Sequence, residues 1–280
     1  MQILYGERRM KKLPALLMVG SALLLASCNR TDMPSNLNNV SGTVVEGSLD
    51  SNTVSLVTSA WTGGAGVVIA VTGLDGEDAE DDREAQELVR TSLSADGKFS
   101  LNLPEVAAGR LAAAFDGSYS TAEGCTGTLS VSNPQARTTN LVVGVDANKD
   151  GVVSPVSINS SFDSARQLTS TTIVFGDLVY VDRGVNIRGT QTCTDDEGTI
   201  VNDVNLTLRK GWNKVSLSIK LEASSDKVTV TTRSGSYPDN WVYLNTDVPS
   251  GATPLSVQGL GGKTLSLQTL KTQFQLPFLR

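Results

Sequence analysis

The sequence contains no histidine, and this absence restricts its chemistry more than any other feature of its composition. Without imidazole the chain can build neither a Ser-His-Asp nor a Cys-His nucleophile system, and it has no imidazole ligand for zinc or copper. Its three cysteines are too few for a cysteine metal cluster. We find no glycine-rich phosphate loop and no serine-nucleophile motif. Only carboxylate-based or lysine-based catalysis remains, so we predict that the protein is not an enzyme.

Long hydrophobic runs are also scarce, and the longest lies near the start of the chain. Four basic residues between positions 8 and 12 precede an apolar run from Leu13 to Leu25. A transmembrane helix needs about 20 apolar residues, so this run is too short to span a bilayer permanently. A basic stretch followed by an apolar core of this length is typical of a secretory signal peptide. We therefore predict that residues 1–27 are a signal peptide.

The run ends in Leu25-Ala26-Ser27-Cys28, which resembles the lipobox of bacterial lipoproteins. The resemblance implies cleavage before Cys28 and acylation of its thiol with chains of the palmitate type, which would anchor the protein to membrane lipid. It also favours the outer membrane, because Asn29 stands where an Asp would signal inner-membrane retention. Two or more acyl chains give stable anchoring. The residues leave open an ordinary signal peptide with an incidental cysteine, or a short membrane anchor.

Acidic residues outnumber basic ones once the leader is removed. The chain from Cys28 onward has 19 Lys and Arg against 28 Asp and Glu, a net charge of −9. Such a surface repels nucleic acid and anionic lipid head groups, so we exclude nucleic acid as a partner and expect an envelope protein or a polysaccharide. Residues 28–39 are polar and without pattern, and we predict a flexible tether there.

From Val40 onward, apolar and polar residues alternate with a period of two. The clearest case is Val215, Leu217 and Ile219, which alternate with serines and lysines. This pattern predicts antiparallel strands with one face on a core, and Gly, Asn, Asp and Pro punctuate them at the spacing of a sandwich. We predict an all-β fold of two consecutive antiparallel β-sandwich domains, of the immunoglobulin or transthyretin type, at residues 40–145 and 146–280.

Only two short segments have a pattern compatible with a helix. They are residues 77–90 and residues 161–168, and each could make a helical turn or two.

One segment of the first predicted domain carries a family resemblance. The stretch from Ala95 to Pro104, ADGKFSLNLP, is similar to the "D-G-x-F-x-L-x-L-P" motif of carboxypeptidase-regulatory-like domains. The resemblance implies a transthyretin-like sandwich, a tight Asp-Gly hairpin turn, and a core that contains Phe99, Leu101 and Leu103. Modules of this family are accessory rather than catalytic. The resemblance covers about 40–145 and gives no substrate.

Two cysteines remain once Cys28 carries lipid. Cys125 and Cys193 are an even pair in a protein that we expect to be exported, where disulfides persist. We predict a disulfide between them. Two separate thiols are the alternative.

The segment Asp146-Ala147-Asn148-Lys149-Asp150-Gly151 matches the opening of an EF-hand or dockerin-like Ca²⁺ loop. The predicted calcium ligands are Asp146, Asn148, Asp150 and the Val152 carbonyl. Position 12 of the loop, normally a bidentate Glu, is Ser157, which removes the strongest ligand. A turn between two domains is the alternative.

Three other groups of residues leave alternatives open. The run from Asp75 to Glu87 holds eight acids, which could bind a divalent cation or a basic partner, but a solvated loop is the alternative that we favour. Paired acids such as Asp195-Asp196 could serve a carboxylate hydrolase. The larger aromatic side chains could form a carbohydrate platform, although we favour core packing for them. These aromatic residues are Trp61, Tyr180, Trp212, Trp241 and Tyr243.

Together, these features predict a lipid-anchored cell-envelope protein that acts as a non-catalytic binding, adhesion or structural module. A calcium-stabilised ligand-binding module and a histidine-free carboxylate hydrolase are the alternatives.

Overall fold

The computed structural model describes residues 37–50, 53–72, 86–113, 124–195, 198–244, 256–258, 264–267 and 271. Strands dominate this part of the chain, which confirms the predicted all-β fold. A short 3-10 turn spans Ala108–Arg110. Among these described residues, no helix has the length and apolar character needed to cross a membrane.

The strands, numbered in chain order, are β1 (Asn39–Asp50), β2 (Ser55–Ala60), β3 (Gly66–Thr72), β4 (Gln86–Leu93), β5 (Lys98–Asn102), β6 (Ala112–Ala113), β7 (Cys125–Val131), β8 (Arg137–Asp146), β9 (Asp150–Phe162), β10 (Leu168–Val181), β11 (Val185–Asp195), β12 (Gly198–Leu208), β13 (Gly211–Glu222), β14 (Lys227–Ser234), β15 (Asn240–Leu244), β16 (Ser256–Gln258) and β17 (Thr264–Ser266). Fifteen of these strands belong to one hydrogen-bonded sheet, and β16 pairs with β17.

The sheet is mixed and follows the order β2-β1-β15-β9-β8-β10-β13-β14-β12-β11-β7, with β3, β4, β5 and β6 attached beside this path. The pairs β1–β15 and β12–β14 are parallel. The other described pairs are antiparallel, as the one-sided alternation predicts.

Alternation decides which side chains enter the core. In β13, Val215, Leu217 and Ile219 are fully buried while the residues between them are partly or fully exposed. In β5, Phe99 and Leu101 are buried between exposed neighbours. Successive side chains on a strand point to opposite faces, so this pattern gives β5 and β13 one core-facing side, whereas β15 and the second half of β10 are buried on both sides. The buried apolar residues form three clusters, on both faces of the large sheet.

The sheet branches where β8, β9 and β10 meet. The first part of β8 pairs with β10 up to Leu141, and its last part pairs with β9 from Val143. Strands β9 and β10 pair with each other from Val156 and Phe175 outward. The three strands therefore diverge around one point, which opens a gap in the middle of the sheet.

Strand pairing joins the two halves of the chain. β15 lies between β1 and β9, and β8 pairs with both β9 and β10. The strands of segments 40–145 and 146–280 thus share one sheet across the predicted boundary. The finer expectation of two consecutive sandwiches stays a prediction. At the other predicted boundary, β1 begins within the proposed tether, and the Asn38 carbonyl accepts a hydrogen bond from the Leu103 N–H at 2.9 Å.

The helical alternatives were wrong where the structure describes them. Residues 86–90, the end of the segment 77–90, form the start of β4, and residues 161–168 run from the end of β9 through a turn into β10. Both segments gain ladder hydrogen bonds from neighbouring strands, and these tertiary contacts override weak helical periodicity.

The Asp-Gly turn is present, but its two strands separate. The Gly97 N–H donates to the Ser94 carbonyl at 2.9 Å, and Gly97 has a φ of 81°. A Cβ at this glycine would lie 2.5 Å from the Val44 carbonyl oxygen. Phe99, Leu101 and Leu103 are buried as expected. However, β4 pairs with β3 and β5 pairs with β1, so the turn connects two ladders instead of closing one hairpin.

Candidate functional site

Several predicted site residues lie outside the described residues. They include the lipidation candidate Cys28, most of the acidic run Asp75 to Glu87, and Asp196. The structure therefore adds nothing to the interpretation of these positions.

The candidate calcium segment forms the hairpin between β8 and β9. Asp146 pairs directly with Asp150 across the hairpin, and the residues between them make a three-residue loop. The Asn148 N–H donates to the Gly63 carbonyl at 3.0 Å, and the Asp150 carbonyl accepts the Tyr243 hydroxyl at 2.7 Å. The backbone of the motif is thus held in a tight hairpin by neighbouring backbone and side-chain groups.

The hairpin also accounts for the conformation of Gly151 and Val152, the last two positions of the candidate calcium motif. Val152 lies within β9, paired on one side with β8 and on the other with β15. Gly151 has a φ of 157°, and a Cβ there would lie 2.9 Å from the Tyr243 ring. In the part of the chain that the structure describes, no group of three or more Asp, Glu or Cys could hold a metal ion. These contacts favour the turn over the calcium loop, and calcium binding stays a prediction.

The same hairpin holds a lysine ammonium in an aromatic and acidic pocket. Lys149 Nζ lies 2.8 Å from Glu46 Oε1, 5.9 Å from the Trp61 ring centroid and 5.8 Å from that of Tyr243. Glu46 also accepts hydrogen bonds from the backbone and hydroxyl of Thr62. Burial raises the pKa of Glu46, but the hydrogen bonds from Lys149 and Thr62 outweigh it and hold this pKa below its ordinary value. The positive charge at this hairpin is therefore supplied by the protein itself.

Replacing this glutamate tests the contribution of the pocket to stability. We expect Glu46→Gln to lower the free energy of unfolding by about 0.5–1 kcal/mol at neutral pH, because the partly exposed ion pair is screened by solvent. Because the folded-state pKa of Glu46 is lowered, its contribution is present above its ordinary pKa of 4.5 and disappears as the pH falls through the lowered value. Urea unfolding at pH 7 and pH 3 measures the difference. An equal loss at both values would contradict the assignment, and Glu105→Gln at an exposed site is the control.

The large aromatic residues pack into the core instead of forming a platform. All five are buried. Tyr180 and Trp212 meet edge to face at 5.3 Å, and the Trp212 Nε1–H donates to the Pro104 carbonyl at 2.7 Å. Trp61 meets Tyr243 in the same way at 5.5 Å. Buried aromatic pairs with satisfied N–H groups are typical of core packing, the alternative that the sequence favoured.

Cys125 and Cys193 form a disulfide. The two residues are direct partners in the β7–β11 ladder, with a Cα–Cα distance of 4.0 Å. The bridge links strands that are 68 residues apart in sequence, and it attaches β7, the end strand of the ordered path, to its neighbour.

The gap where β8, β9 and β10 diverge contains the most deeply buried acid–base pair of the described residues. Lys271 Nζ lies 2.5 Å from Asp177 Oδ1, and the Asp177 side chain is only 3% exposed. Lys271 Nζ also lies 3.4 Å from the Ser154 hydroxyl. Beside these groups is a cavity of about 30 Å³, with room for one or two water molecules.

Tyr237 completes this cluster. Its buried hydroxyl makes no hydrogen bond to the described residues. Burial, assisted by the negative charges of Asp177 and Asp239, raises the pKa of Tyr237. Ser154 and Lys271 resemble a nucleophile and its base in composition only, because the Lys271 ammonium pairs with Asp177 at 2.5 Å and lies 3.4 Å from the Ser154 hydroxyl. The cluster is therefore suited to holding the C-terminal segment in place.

The outward side of seven neighbouring strands forms a broad polar surface, which we call the outer face. It comprises the solvent-facing residues of β7, β11, β12, β14, β13, the first half of β10 and the second half of β9, identified by register and by alternation with buried residues. Its hydroxyl residues are Thr126, Thr128, Ser130, Ser157, Ser161, Ser170, Thr172, Thr190, Thr192, Thr194, Thr199, Thr207, Ser216, Ser218, Thr229 and Thr231. Its charged residues are Arg188, Asp203, Lys214, Lys220, Glu222, Lys227 and Arg233.

Sequence reasoning missed both the buried ion pair and the outer face. A signal for the first was present, since Asp177 interrupts the apolar run from Ile173 to Val181. The outer face had no local signal, because it exists only when strands far apart in sequence lie side by side.

Comparison of the chain with models of protein families, with curated proteins and with solved structures finds no match. The lipoprotein and carboxypeptidase-regulatory-like resemblances therefore stay predictions from the sequence.

Proposed function

We propose that this chain is a bacterial lipoprotein, anchored to the outer membrane through acylated Cys28, whose all-β body serves as a non-catalytic binding or structural module of the cell envelope. The observation that carries the proposal is Cys28 itself, placed directly after an apolar core of signal-peptide length. The bridge between Cys125 and Cys193 supports export, because structural disulfides persist in oxidising compartments and are rare in the cytosol.

The non-catalytic part of the proposal rests on chemistry. A histidine-free chain depends on carboxylates or lysine for acid–base catalysis, and the most buried candidates, Asp177 and Lys271, neutralise each other. The small cavity beside them has room for water but not for a substrate of ordinary size. A role in binding or in envelope structure is what these features favour.

Metabolic labelling tests the anchor. Cells that express the full chain would be grown with an alkyne-tagged fatty acid, and the protein would be recovered and fractionated. We expect label on the wild-type chain in the outer-membrane fraction, and no label on Cys28→Ala. The variant Cys125→Ser/Cys193→Ser is the control, because it removes the other two cysteines and should stay labelled. An unlabelled wild-type chain in the cytosolic fraction would refute the proposal.

A further inference from the structure

We propose that the outer face is the binding surface of the module and that its partner is an anionic polysaccharide. This inference rests on the proposed binding function and names the partner class for it. It depends on three properties of the surface: its charge, its hydroxyl content, and the residue types that it lacks.

The charge of the outer face is opposite to that of the whole chain. The chain has a net charge of −6, whereas the face has five basic and two acidic residues. The acids are held by neighbours on the face: Lys220 lies 2.9 Å from Glu222, and Arg233 pairs with Asp203. The excess of positive charge is carried by Arg188, Lys214 and Lys227. A positive surface on an acidic protein orients an anionic partner toward that surface, since the rest of the molecule repels it.

The positive charges lie at both ends of a track of hydroxyl groups. Arg188 and Arg233 flank Asn205 in one row of cross-strand partners, and Lys214 lies one step further along β13. At the other end, Lys227 is the cross-strand partner of Thr199, and Lys220 lies six residues from Lys214 on β13, a distance of about 20 Å at the rise of a β-strand. Threonine and serine predominate in the rows of cross-strand partners that lie between these two ends. A polymer with repeated negative charges and many hydroxyl groups can contact both ends and hydrogen-bond to the rows between them.

The composition of the face argues against other anionic partners. Its strand residues include one exposed aromatic side chain, Phe162 at the end of β9, which is too few for stacking successive nucleic-acid bases. Its other apolar residues are Leu168, Val174 and Val201, too few for the apolar centre of a typical protein interface or for insertion among lipid chains. Hydroxylated anionic chains fit the face because charge and hydrogen bonding alone can hold them.

Binding to defined polysaccharides tests this inference with the full-length chain in detergent. The probes are polygalacturonate, which carries carboxylates, dextran sulfate, which carries sulfates, and neutral dextran. We expect both anionic probes to bind, with affinity that falls as salt rises, and neutral dextran not to bind. The triple variant Arg188→Ser/Lys214→Ser/Lys227→Ser should bind at least tenfold more weakly. The matched control Lys98→Ser/Arg166→Ser/Arg183→Ser removes three bases outside the face and should bind as the wild type does.

Each result decides for or against the inference. Equal weakening in both triple variants, or equal binding of neutral dextran, would overturn it, as would binding only to vesicles of anionic phospholipid or to single-stranded DNA. Melting curves of the two variants must match that of the wild type, which confirms that any loss comes from the face. A chain that is fatty-acylated at Cys28 but binds neither anionic probe would remove this inference and leave the proposed anchor intact.

Discussion

Lys271→Met should lower the free energy of unfolding by about 3–5 kcal/mol, the cost of removing one partner from a buried ion pair. The Asp177 carboxylate is almost completely enclosed and lies 2.5 Å from the lysine ammonium, so the variant leaves this charge in the sheet without its main counter-charge. Methionine keeps most of the apolar length of the side chain, which limits any loss of packing. Urea unfolding at neutral pH, followed by tryptophan fluorescence, measures the effect.

Two further variants separate the ion pair from other effects of the substitution. Asp177→Asn/Lys271→Met removes both charges, and we expect it to recover a large part of the lost stability, because no buried charge then remains. Lys220→Met removes an exposed partner of Glu222 and should leave the unfolding curve nearly unchanged. If the double variant were as unstable as Lys271→Met alone, the unpaired buried charge would not be the cause of the effect.

The buried pair also has a structural consequence for the C-terminal segment. Leu267 is fully buried against the apolar cluster that contains Phe175 and Leu217, and Lys271 follows it onto Asp177. One apolar and one ionic contact thus attach this segment to the sheet where three strands diverge. The ion pair closes a gap that strand pairing alone leaves open.

The sequence predicted strands well because alternation is a local property. Val215, Leu217 and Ile219 face the core as expected, and so do Phe99 and Leu101. Alternation specifies which side of a strand is buried, but it carries no information about which strand lies beside it. The parallel pair β1–β15 joins residues almost 200 positions apart, and no periodicity within either strand indicates that pairing.

The candidate sites show the same limit. The segment from Asp146 to Gly151 has the residue types of a calcium loop, yet its backbone forms a tight hairpin that Gly63 and Tyr243, both distant in sequence, hold by hydrogen bonds. The pair Asp177–Lys271 joins positions 94 residues apart. A motif specifies chemistry only when the surrounding fold gives its segment the geometry that the ligand requires.

Removing the disulfide should give the second large effect. We expect Cys125→Ser/Cys193→Ser to lower the free energy of unfolding by about 4 kcal/mol, because the bridge closes a loop of 68 residues and restricts the unfolded chain. Reduction of the wild-type protein should have the same effect, and reductant should not change the double variant. Equilibrium unfolding with and without reductant makes this comparison.

The loss should also be uneven across the molecule. The bridge joins β7 to β11 at the end of the strand order, where β11 is the one strand described as pairing with β7. Amide hydrogen exchange in β7 should therefore accelerate before that in β13, which lies between two paired neighbours. If β7 and β13 lost protection together, the bridge would be stabilising the whole sheet uniformly. Faster exchange confined to β7 would instead assign the bridge to this edge strand of the outer face that we propose as the binding surface.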